Sequence, residues 1–189
     1  MSVTSRVAVL PPGTRTLEIV EVELPDPGPH QVIVRQHASG VCHSQLHQIH
    51  RDRTEGVILG HEATGVVEAV GSEVTHVAVG DEVLVTWVPR EPQAVFRPTV
   101  RATLELPDGT SAASQSVFTW ATHTIADEQY IVKAPPNTPR DLASIIGCAV
   151  MTGAGAVIHT ANVQPGQSVA VWGVGGVGLS AIAAAAQAG

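Results

Sequence analysis

Apolar and polar positions alternate along the first part of the chain in short runs cut by proline and glycine. Residues 5–10 and 17–23 read as strands joined by Pro11-Pro12-Gly13. The second run, Leu17-Glu18-Ile19-Val20-Glu21-Val22-Glu23, sets apolar against acidic side chains and should bury one face. A rigid turn at 25–29 leads to a third strand at 31–38. An apolar strand at 66–70 lies between Gly65 and Gly71, and 77–85 reads as a Gly80-Asp81 turn entering a strand. Residues 89–119 are less regular, with a hairpin turning at Pro107-Asp108-Gly109 between 103–106 and a serine-rich return. A further strand, 129–133, closes at Pro135-Pro136. Thr138 as N-cap, Pro139 at the first helical position and Asp141 in the first turn then predict a helix running to Gly147-Cys148. Short strands with closely spaced turns predict a small β-barrel over residues 1–149.

The pattern changes after Cys148. Residues 150–161 are small and apolar and suit a closely packed helix. Pro165-Gly166 turns the chain, 168–172 reads as an apolar strand, and Leu179 to Ala188 is an alanine-rich helix. Between these lies Gly173-Val174-Gly175-Gly176-Val177-Gly178. Strand, Gly-x-Gly-x-x-Gly and helix together open a dinucleotide-binding βαβ unit. Gly173 permits the tight turn, Gly175 lets backbone approach a pyrophosphate, and Gly178 allows helix to pack on strand. The helix N-terminus favours phosphate charge. Residues 150–189 are therefore expected to be the start of a Rossmann domain, incomplete, because the acidic residue that grips the ribose would lie past Gly189. The expected fold class is mixed α+β and α/β.

Composition narrows the function. The 189 residues are 44% hydrophobic and 14% charged, enough for one core and part of a second domain. A net charge of −7 argues against a nucleic-acid surface. No apolar run approaches the roughly 20 residues of a membrane span, and the first residues lack the apolar core of a signal peptide. The expectation is a cytoplasmic protein without membrane contact. Two cysteines are no disulfide framework. Without context such a pair reads as two buried small hydrophobes.

The context is a set of motifs. Gly60-His61-Glu62-x-x-Gly65-x5-Gly71-x-x-Val74 sets an imidazole beside a carboxylate ahead of a strand. Gly40-Val41-Cys42-His43-Ser44 and Gly147-Cys148-x-x-x-Thr152-Gly153 each add a thiol. Together with the glycine loop, in this order and at this spacing, they resemble the zinc-dependent alcohol dehydrogenases of the medium-chain dehydrogenase/reductase family over essentially the whole chain.

The resemblance implies a GroES-like barrel with one catalytic zinc held by Cys42, His61 and Cys148, and NAD or NADP as hydride carrier. It implies that Ser44 takes the alcohol proton and passes it toward His47. Glu62 becomes a buried carboxylate tuning the site, and His43 a contact to the coenzyme pyrophosphate. Thr152, Gly173, Gly175, Gly176, Val177 and Gly178 fall on coenzyme-binding positions. Trp87 and Trp120 fall on the substrate pocket, where two indoles would favour flat or unbranched alcohols. The implied substrate is a primary alcohol or its aldehyde, aromatic and thiol-adduct alcohols included, and the implied assembly a homodimer or homotetramer at full length. Three departures stand out. Residues 88–118 hold no cysteine, so a structural zinc there has no ligands. Gln45 stands where the family has an aspartate that supports the ligand histidine, which offers a hydrogen bond without charge. The family's chains also run well past this length, which implies a fragment that is itself inactive. Two other readings are a zinc-free quinone or enoyl reductase on the same fold, and a non-enzymatic barrel module related to co-chaperonin subunits. Neither has a use for all three ligands.

Overall fold

β-Branched residues alternate with polar ones and are stopped by glycine and proline, so short strands form and pair. In the computed structural model, which describes residues 3–91 and 98–189, the strands make two five-stranded sheets. The first has the order β2 (Glu18–Leu24), β1 (Val3–Leu10), β4 (Gly56–Ile58), β8 (Ser111–Ala113), β7 (Thr103–Glu105). The second has the order β10 (Ile131–Lys133), β6 (Glu82–Val85), β5 (Ala63–Val70), β3 (Gln31–Ser39), β9 (His123–Asp127). Pairing is antiparallel except between β4 and β8. The sheets are tied where β1 meets residues 120–122: Ala8 N–H donates to the Trp120 carbonyl at 2.8 Å, and Thr122 N–H to that of Arg6 at 3.0 Å. The two tied sheets give the barrel-like architecture expected from the strand pattern.

β3 is buried on both faces because of its two-residue period. Val32 and Val34 pack with Val67, Val83, Val85 and Ile131. Ile33 faces the other way, against Val7, Val9, Ile58, Phe118 and Ile125. Each such side chain contributes roughly 1.5–3 kcal/mol when fully buried. The first half of the strand that leads to Cys42 is thus held from both sides.

Several elements differ from the sequence expectation. A helix, α1 (Ser44–His50), follows Cys42, where no helix was anticipated. β9 was also missed, and the 129–133 strand is shorter: Glu128–Tyr130 forms a 3-10 turn first. The cause is Asp127, whose carboxylate accepts from Gln129 N–H at 3.1 Å and caps that turn. Thr138 makes a tight turn onto the Pro135 carbonyl, and the helical run starts at Leu142, capped by Asp141. That run passes from a 3-10 turn (Leu142–Ile145) through a π-type turn (Ile146–Val150) into α2 (Met151–Gly155) and a second π-type turn (Ala156–Thr160). Residues 168–172 join no ladder, since no described strand lies beside them to accept their hydrogen bonds, and Trp172 is 90% exposed. α3 (Gly176–Ala188) forms as expected, with none of its residues buried. Of the irregular 89–119 stretch, residues 92–97 lie outside the described residues.

One correction concerns hydropathy. The 19 residues Leu142–Thr160 are long and apolar enough to cross a membrane by length and composition. Their place in the fold is different: Gly147 sits against the β6 backbone and Cys148 turns toward Cys42 and His61.

Candidate metal centre

Three separate segments converge at one end of the barrel. Cys42 follows β3, His61 and Glu62 precede β5, and Cys148 lies on the first π-type turn. The sequence builds each position locally. Gly60 has φ +93°, and a Cβ there would fall 2.4 Å from Thr119 Oγ1 and 2.5 Å from Trp120 N. Only glycine fits that turn without strain. Thr119 Oγ1 accepts Glu62 N–H at 3.3 Å and meets Ser39 Oγ at 2.9 Å, which fixes the backbone after His61. Gly147 lets the Cys148 turn touch β6, since a Cβ there would lie 2.6 Å from the Val85 carbonyl oxygen. Thr86 Oγ1 donates to the Gly147 carbonyl at 2.8 Å and holds the turn in place.

The result is a compact donor set. One ligand atom each from Cys42, His61, Glu62 and Cys148 lies within 4.8 Å of the others. His61 Nε2 is 3.2 Å from Cys148 Sγ, and the two sulfurs are 3.8 Å apart. Two thiols, an imidazole and a carboxylate fit zinc, whose protein ligands are sulfur, nitrogen and oxygen. Burial depresses the His61 pKa, which favours the neutral, ligating imidazole. Burial raises that of Glu62, opposed by the hydrogen bond from Ala149 N–H. The Cys148 thiol is pushed up to about 12, first by burial, then by the charges of Glu62 and Cys42, while a hydrogen bond from Trp87 acts the other way.

The donors open onto a cavity of about 300 Å³ lined by Ser44, Gln48, Ile58, Trp87, Gln115 and Val117 among others. Ser44 Oγ donates to Cys42 Sγ at 3.3 Å. Ser44 also lines a second cavity of about 570 Å³, together with His47. His43 sits at the start of α1, exposed, its ring 5.6 Å from that of His47. Trp87 lines the inner cavity, but Trp120 does not. Its indole N–H donates to the Gly40 carbonyl at 3.2 Å. Thr152 is exposed on α2, away from the donor set's cavity lining. Gly173 has φ +94°, Gly175 faces open space, and a Cβ on Gly178 would lie 1.9 Å from the Gly173 carbonyl oxygen. Gly176 faces Ala149, the residue after Cys148, and Val177 is exposed. Sequence reasoning missed Gln48, Gln115 and Thr86. Gln48 lies one helical turn after Ser44 and is visible once α1 is recognised. The other two carry no local signal.

Known proteins match this arrangement. The family described as alcohol dehydrogenase GroES-like domain matches residues 28–136. The S-(hydroxymethyl)glutathione dehydrogenase of Synechocystis sp. is 37% identical across 97% of this chain and 56% of its own length. That of Candida maltosa is 34% identical, covering 99% and 55%. Among solved structures, an alcohol dehydrogenase zinc-binding domain protein from Burkholderia ambifaria superposes with a TM-score of 0.88 at 30% identity, over 100% of this chain and 57% of its own. Benzyl alcohol dehydrogenase from Acinetobacter calcoaceticus does so with 0.83 at 28%, over 99% and 56%. The chain thus spans little more than half the length of the curated relatives it matches.

Proposed function

Because the chain belongs to the alcohol dehydrogenase GroES-like domain family, we propose that it carries the catalytic metal centre of a zinc-dependent, NAD- or NADP-linked alcohol dehydrogenase. The observation that carries this is the convergence of Cys42, His61, Glu62 and Cys148 within 4.8 Å, with Cys42, His61 and Cys148 lining a cavity. Cys42, His61 and Cys148 would hold one zinc, which when bound lowers the pKa of an alcohol oxygen and polarises an aldehyde carbonyl. Glu62, buried beside them, is the carboxylate that tunes the electrostatics of the centre.

The chain's own groups do the rest. Ser44 lies at the junction of the two cavities, so its hydroxyl accepts the substrate proton on the inner side and releases one to the outer side. His47, lining the outer cavity, takes that proton on its imidazole and gives it to water. Trp87 and Val117 exclude water from the reacting carbon and fit an apolar substrate tail. The glycine turn at Gly173, with the N-terminus of α3, supports a dinucleotide pyrophosphate, and exposed His43 adds a polar contact. We divide the chain into a metal domain, 1–149, and the opening of a coenzyme domain, 150–189, linked through one continuous helical run. Hydride transfer is proposed for a protein of the relatives' full length. The substrate is a primary alcohol or aldehyde, aromatic and thiol-adduct alcohols included, in keeping with the names of the similar proteins. Two reduced cysteines at the centre suit the cytoplasm.

The test is zinc content of the purified chain, with Cys148→Ser beside it. One zinc per chain, lost in the variant, is expected. A folded, zinc-free protein would move the reading to a zinc-free reductase or a non-enzymatic module.

A further inference from the structure

Gln45 is only 1% exposed, and both ends of its amide are engaged. Its Oε1 accepts the Cys42 backbone N–H at 2.8 Å. A backbone N–H can only donate, so the oxygen must be the atom that faces it. The amide nitrogen is therefore the atom that lies 3.2 Å from His61 Nδ1. An amide nitrogen also only donates, so Nδ1 must accept and carries no hydrogen. A neutral imidazole has one N–H, which places that hydrogen on Nε2. Nε2 is the nitrogen that points at the thiols, 3.2 Å from Cys148 Sγ.

A metal ion held among the two sulfurs needs the lone pair of that same Nε2. Its proton must leave to solvent, and Nδ1 must gain one. The new Nδ1–H then faces the Gln45 NH2, donor against donor. Turning the amide over moves the conflict to the Cys42 N–H. Either way one buried polar contact is lost, and an unmade buried hydrogen bond is penalised heavily.

We propose that Gln45 is a positioning residue that holds metal-free His61 with its proton on Nε2, so that the centre must break a buried hydrogen bond before it accepts a metal ion. The proposal rests on the metal-centre reading above. It makes the site hold zinc more weakly than one whose supporting residue accepts from Nδ1–H, because the apoprotein is stabilised by a contact that the loaded protein cannot keep. The isosteric variant Gln45→Glu removes the conflict: both carboxylate oxygens accept, one from Cys42 N–H and one from Nδ1–H.

Two measurements on the protein test this. Nitrogen-15 NMR of metal-free His61, at a pH where the ring is neutral, should show Nε2–H in the native protein and Nδ1–H in Gln45→Glu. Zinc affinity, by competition with a chromogenic chelator, should rise in Gln45→Glu by roughly the 10–100-fold that support of a metal-bound histidine is worth. Gln45→Met, which removes both contacts, should leave the His61 tautomer unfixed, so its loss of the Nε2–H signature supports the assignment even if its stability falls. Native His61 in the Nδ1–H form, or equal zinc affinities with a shared stoichiometry of one, would overturn the role of Gln45 while leaving the metal centre intact. No zinc in either protein would remove the centre and this role with it.

Discussion

The two thiols at the centre differ in what surrounds them. Cys148 is buried at 7% exposure, with its pKa pushed up to about 12, whereas Cys42 is half-buried at the edge of a cavity. The thiolate is the reactive form. In metal-free protein at mildly alkaline pH, an alkylating reagent should therefore modify Cys42 first and leave Cys148 nearly untouched. Peptide mass spectrometry reads this directly, and equal rates would contradict the burial of Cys148. Bound zinc requires both sulfurs as thiolates, so loading must release protons, and affinity should fall as pH falls. Zinc should protect both residues from the reagent. The chemistry of these side chains was legible in the sequence from their motifs. The difference between them was not, because it comes first from the burial of Cys148 and then from the neighbouring charges, and both are set by how distant segments pack.

The elements that carry the ligands are rigid turns rather than regular structure. The strain at Gly60 is both torsional and steric: at φ +93° any side chain would also press on the 119–120 backbone. Gly60→Ala should cost about 2 kcal/mol or more, and zinc binding should weaken with it, measured by urea unfolding and chelator competition. Thr86→Val probes the other side. Thr86 Oγ1 donates to the Gly147 carbonyl and accepts from Val88 N–H, all buried or half-buried. Losing these should cost about 1–3 kcal/mol and loosen the Cys148 turn, with zinc affinity reduced and stoichiometry kept. An unchanged unfolding midpoint would show that the turn is held by packing alone. The glycine could be read from the sequence because its motif is local. The threonine could not, since its partner lies 61 residues away.

At the scale of the whole molecule, the edge strand β10 is tied to the rest of its sheet by an ion pair. Lys133 on β10 reaches Asp81, at the turn before β6, at 2.7 Å. This hydrogen bond, helped by Ala78 N–H, holds the Asp81 carboxyl below its ordinary value of 3.8. A depressed folded value stabilises above the unfolded pKa and is lost as pH falls through the lower folded one. Asp81→Asn should thus be less stable than the native protein at neutral pH, with the difference closing as the pH is taken well below 3.8. A gap that persists in acid would assign the effect to the 78–81 turn instead. The sequence by itself determined the motifs that carry Cys42, His61 and Cys148, the order of the segments, the strands of the barrel and the glycine turn, because each is written in a local pattern of residue type, side-chain size or permitted φ. Only the tertiary structure decided that sulfurs 106 residues apart lie 3.8 Å from each other. It also decided that Trp87 and not Trp120 lines the cavity, and that the Gln45 amide faces Cys42 with its oxygen. Those outcomes depend on which segments pack together and on which donor meets which acceptor, and no local pattern encodes either. The 168–172 run shows the converse: its pattern is that of a strand, yet pairing needs a neighbour, and none of the described strands lies beside it.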